Sequence, residues 1–152
     1  MHLFFADVVW PALYLEDRLL TWWAIIIGLL IEYGFIYYIF RRSILKTGIM
    51  TLTANALSTV IGIILIPALG VGWEIFPGSV IYKMLNIGTF NPITWTATLL
   101  LATLANGVIE SLSYKFIFKE KITKKIFWLI CLANLASVGL ALTTVFLYPP
   151  KL

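Results

Sequence analysis

Two glutamates, Glu32 and Glu110, lie inside long apolar stretches, and each is followed at almost the same spacing by an Ala-Asn-x-x-Ser sequence: Ala54-Asn55-Ala56-Leu57-Ser58 after the first, Ala133-Asn134-Leu135-Ala136-Ser137 after the second. These are the residues on which any chemistry must rest. A carboxylate at the centre of a membrane helix disfavours insertion by about 2.5–3.5 kcal/mol, so both glutamates must face protein or a water-filled cavity. Helix rise sets their depth. Glu32 lies eight residues before Phe40 and Asn55 eight after Thr47, so each stands roughly 12 Å from the intervening turn. The same count places Glu110 level with Asn134. Two side-by-side pairs are therefore expected, Glu32–Asn55 and Glu110–Asn134, with Ser58 and Ser137 one turn further along the same faces.

Such a set can do one of two things. It can be interhelical glue, worth on average about 0.6 kcal/mol per contact in membrane proteins. It can also relay a proton or cation, the role that embedded carboxyls often mark. One residue breaks the symmetry. Four positions before Glu110 stands Asn106, whereas four before Glu32 stands Gly28. If any site binds something, it is expected nearer to Asn106 and Glu110 than to Glu32; otherwise Asn106 takes a spare hydrogen bond from Glu110 or Asn134.

The elements that must hold these residues follow from composition. Of 152 residues, 61% are hydrophobic and 12% charged, with a mean hydropathy of +0.98. Soluble domains carry about 25% charged residues, so an all-α integral membrane protein is expected, and a separate soluble catalytic domain is excluded. Four spans of about 20 residues fit the apolar runs. They fall at about 19–40, 47–69, 93–116 and 126–147, forming hairpin one over about 19–69 and hairpin two over about 93–148. The connection 70–92, rich in glycine and proline, reads as a turn-rich surface segment with a brief helix around 80–85. Residues 3–14 are apolar but interrupted by Asp7 and Pro11, which suits a short interfacial helix.

Charge sets the orientation. Arg41, Arg42, Lys46, Lys115, Lys119, Lys121, Lys124 and Lys125 crowd the two short turns, against only Arg18, Lys83 and Lys151 on the other side. The positive-inside bias puts those turns in the cytoplasm and both termini outside it, in a plasma (inner) membrane. Both hairpins then run in the same sense, as tandem copies related by an axis along the membrane normal. The net charge of +4 accordingly reads as a topology signal and implies no nucleic-acid partner.

Within the spans, Thr96, Thr103, Asn106, Glu110 and Ser113 form one polar stripe, and Gly48, Thr51, Asn55, Ser58 and Gly62 a second of smaller groups. Both read as seams of a bundle. Glu74 and Lys83 read as solvated residues of the external connection. His2 is the only histidine and Cys131 the only cysteine, so no metal cluster, internal disulfide or cofactor is expected. With no phosphate loop or nucleophile set, the chain is not expected to be an enzyme. Two functions are left open. The first is a noncatalytic accessory or scaffold subunit that packs in the bilayer against other membrane proteins or itself. The alternative is a small oligomeric transporter or ion- or proton-conducting protein using Glu32 and Glu110.

Overall fold

The computed structural model of the chain describes residues 21–87 and 91–147. The interfacial helix expected over residues 3–14 lies outside the described residues. Four long helices carry the architecture: α1 (Trp22–Phe40), α2 (Ile44–Trp73), α4 (Pro92–Phe116) and α5 (Lys124–Leu147), with a short α3 (Ser79–Leu85) between α2 and α4. Three stretches, Trp22–Phe40, Ile44–Leu85 and Pro92–Phe116, are long and apolar enough to cross a membrane.

The helices close into a ring. α1 packs on α2 and α5, and α4 packs on α2 and α5. The α1–α2 contact is the slightest of the four sides. α1 buries only Ala24, Gly28, Glu32 and Ile36, one residue per turn, while Ile26, Leu30 and Tyr38 stay half or more exposed. α4 buries a broad face, leaving Leu100, Leu104, Val108 and Leu112 as an exposed ridge at four-residue spacing. Gly107 sets how closely α4 meets α5. A Cβ there would stand 2.5 Å from the Cys131 sulfur and 3.5 Å from its Cα, so only a glycine gives that separation without a shift.

The tight turns are built by local caps. Arg41 takes a left-handed conformation (φ 48°) and its N–H donates to the Tyr37 carbonyl, closing α1. Ser43 opens α2 by accepting from the Lys46 N–H. In the second turn Lys119 is left-handed (φ 58°) and the Glu120 N–H donates to the Tyr114 carbonyl. Beneath these turns sits a core of Ile36, Met50, Ala54, Tyr114 and Ile130, with Phe40 tilted against the Tyr114 ring at 5.5 Å.

Three expectations from sequence are corrected. α2 does not stop near Leu69. It continues through Gly70 and Gly72 to Trp73, with Pro67 inside it, because glycine and proline are tolerated in membrane-length helices where backbone bonds can be re-satisfied. The helix breaks later, at a kink over Glu74–Gly78 with Phe76 extended (φ −165°, ψ 128°). Gly78 lets this kink close on Trp73, whose carbonyl oxygen would lie 2.8 Å from an added Cβ. Thr96 lies off the α4 seam, exposed, its hydroxyl donating to the Pro92 carbonyl. Thr94 and Thr98 are buried instead.

Glu74 is the third correction. It is 7% exposed and accepts from the Tyr82 hydroxyl at 2.9 Å, while Tyr82 accepts from the Trp73 indole at 2.9 Å and also bonds Thr94. Asn91 completes the set, donating to Thr94 and accepting from the Ile93 and Thr94 N–H groups as the cap of α4. A buried carboxylate needs such partners, and these fasten the connection to the start of α4.

Candidate functional site

The narrow stripe of α1, the small-residue face of α2, and the seams of α4 and α5 converge where the sequence places its embedded polar groups. Asn55 Nδ2 donates to Glu32 Oε2 at 2.5 Å, and Asn134 Nδ2 donates to Glu110 Oε2 at 2.9 Å. Both pairs thus stand side by side. The serines then cross between hairpins. Ser137 donates to Glu32 Oε1 at 2.7 Å, and Ser58 reaches Glu110 Oε1 at 3.4 Å. Each glutamate accepts from the asparagine of its own hairpin and the serine of the other, so the bond pattern is reciprocal.

The remaining hydrogens of this cluster are also assigned. Asn55 Nδ2 donates a second time to the Thr51 carbonyl, and Asn134 Nδ2 to the Ile130 carbonyl. Each amide therefore spends both N–H bonds, leaving its Oδ1 as its free polar atom. The geometry also fixes which end of each amide is nitrogen, since both facing partners are acceptors. Each serine has an alternative acceptor three residues back, Asn55 O for Ser58 and Asn134 O for Ser137, both at 3.1 Å. A hydroxyl has one hydrogen and can turn between the two. When it points at the carbonyl, its oxygen is free to accept from a carboxylic acid. The cluster therefore keeps its connectivity whether a carboxyl carries a proton or not.

A cavity of about 420 Å³ opens beside the cluster where α1 and α2 part. Its floor is formed by Glu32, Asn55, Ser58, Asn106, Asn134 and Ser137, and its walls by Thr59 and the apolar residues of α1 and α2 with Val138 of α5. Glu110, 1% exposed, lies behind Asn134 and Ser58 and is not part of the lining. The open space thus reaches Glu32 and Asn106 together, not Asn106 with Glu110 as the sequence suggests. Asn106 is half-buried and makes no hydrogen bond among the described residues. Five other buried hydroxyls, on Thr47, Thr51, Thr103, Ser111 and Tyr114, likewise have no partner there.

Sequence reasoning missed Glu120, hidden among lysines. It is 8% exposed and binds Arg42 with both oxygens, at 2.9 and 3.0 Å, with Lys46 Nζ 3.8 Å away. The hydrogen bonds and charge of Glu120 raise the Arg42 guanidinium above its ordinary pKa. This fork ties the turn of the first hairpin to that of the second. The lone acid in a basic loop is the one signal by which it could have been found.

The fold and cluster define an all-helical protein with candidate membrane-spanning helices and a paired polar centre. No family model, curated protein or solved structure matches the chain.

Proposed function

We propose that this chain is a noncatalytic, four-span membrane transporter that binds a small solute between α1 and α2 and handles a proton or cation through Glu32 and Glu110. One observation carries the reading: the cavity ends on Glu32, so a solute and an embedded carboxyl share one space. The rotating serine hydroxyls support it, because they let the carboxyls change protonation without losing contacts. In this reading α5 is the fourth span, the two hairpins are tandem copies in parallel orientation, and the basic turns face the cytoplasm with both termini outside, in the plasma (inner) membrane. The reciprocal bonds of Glu32 and Glu110 support the duplication.

The test is proton movement in proteoliposomes under an imposed pH gradient, followed by an entrapped dye. Wild type should carry flux above protein-free vesicles, and Glu32→Gln should bring it down to that baseline while the purified variant keeps its helical content. Equal flux in wild type and empty vesicles removes the reading.

The second reading, an accessory or scaffold subunit, draws on the surface of α1, which is held by one buried residue per turn and leaves most of its circumference for a partner's helix or a second copy. Mass determination of the particle purified in mild detergent from its native membrane separates the two. Stoichiometric companion proteins favour the subunit.

A further inference from the structure

We propose that the cavity between α1 and α2 is a site for a lipophilic amine, a molecule with a protonated nitrogen head and an apolar body. This rests on the solute-binding part of the function above and adds the class of solute. The argument is a count of hydrogens. The N–H bonds of Asn55 and Asn134 are all committed to Glu32, Glu110 and backbone carbonyls. Ser58 and Ser137 each have their single hydrogen engaged. On these four residues and Glu32, what remains for a ligand is acceptors: Oδ1 of the two asparagines and the spare lone pairs of Glu32. No lysine, arginine or histidine lines the cavity.

A carboxylate or phosphate head would find only the neutral donors of Asn106 and Thr59, with no cation to pair its charge and the Glu32 carboxyl beside it in a low-dielectric site. An N–H-rich cation meets what it needs. Asn106, without a hydrogen bond among the described residues, adds a whole carboxamide on the wall, its carbonyl open to a cationic head and its N–H bonds to a neutral one, with its Oδ1 3.7 Å from the position of a Cβ on Gly62. A bare metal ion would use only the polar floor, whereas most of the lining is hydrocarbon, including Ile25, Leu29, Ile63 and Ile66. Those side chains suit a hydrocarbon body. The volume of about 420 Å³ lies within the roughly 300–1,000 Å³ usual for small-molecule sites. Ile25 and Val60, both lining residues and 43% and 67% exposed, mark a mouth on the side of the bundle, where a molecule dissolved in the bilayer would enter.

The experiment is equilibrium binding to the full chain in lipid nanodiscs, with empty nanodiscs subtracted, using decylamine, decanol and decanoate as probes that differ only in the head. Decylamine should bind saturably, with decanol weaker and decanoate indistinguishable from empty discs. Glu32→Gln should weaken decylamine by roughly tenfold or more, about 1.4 kcal/mol. The substitution keeps the side-chain shape, and Ser137 can accept from the new amide while donating to Asn134 O. Ala56→Phe, at an exposed lining position, should block the mouth and abolish binding without touching the cluster. Decanoate binding as tightly as decylamine overturns the proposal, as does decylamine binding that survives both variants. Decylamine binding without proton flux sustains this site and removes transport. Flux without saturable decylamine binding does the reverse.

Discussion

At the scale of single residues, the polar centre divides its work unequally between amide and hydroxyl. Asn134 supplies Glu110 with its shorter bond and also caps the Ile130 carbonyl, so its loss leaves a carboxyl that is 1% exposed with only the 3.4 Å contact to Ser58. Ser137 has a second acceptor and leaves Glu32 still bonded to Asn55. Ser137→Ala should therefore lower stability by about 0.6 kcal/mol, the mean for hydrogen bonds between membrane helices. Asn134→Ala should cost about 1–3 kcal/mol, the usual penalty for an abandoned buried polar group. Detergent-titration unfolding of both variants checks the ranking, and equal losses would show that the serine bond carries as much as the amide. The residues of this centre were legible from spacing alone, because two carboxyls in apolar runs must find partners at their own depth. Which carboxyl meets open space was not legible. Both hairpins carry the same motif, and the gap depends on how far α1 stands from α2.

At the scale of elements, that gap has a counterpart in the opposite seam. α4 and α5 approach until Gly107 faces Cys131, whereas at Gly28 on α1 an added Cβ would meet Ser137 Cβ of α5 at 3.4 Å, an ordinary van der Waals contact. Gly107→Val should push the second seam apart and destabilise by about 1–3 kcal/mol, as overpacking does, while Gly28→Ala should be tolerated. A thermal shift measured in one detergent for both variants tests the contrast. The helices themselves were readable because long apolar runs admit little else in a bilayer. The end of α2 was misplaced because glycine and proline signal turns in water but not inside a continuous membrane-length helix. The Glu74–Tyr82–Thr94 set was hidden for a different reason: its members are far enough apart in sequence, and mild enough in type, that only the fold brings them together.

At the scale of the whole molecule, the two hairpins are joined at three levels: Arg42 with Glu120 at the turns, the crossed serines in the middle, and the connection fastened to α4 at the far end. Two of these are side-chain contacts between hairpins that need no covalent link. Residues 1–87 and 88–152 expressed as separate chains should therefore co-purify as a pair, and Glu120→Ala should weaken that pairing. Failure of the separate hairpins to associate would assign the assembly to the connecting segment alone. The charge bias of the two turns was visible in the sequence, but the fork that binds them was masked by the same excess of lysine.

The unequal seams have a consequence for how such a molecule could arise. Two identical hairpins in a symmetric dimer must hold both seams open or both shut, and would offer two equivalent chambers or none. If the hairpins are the tandem copies proposed above, their fusion lets each drift alone. Gly107 closes one side while the other stays ajar, so the proposed site would take a single occupant per chain, saturating without cooperativity.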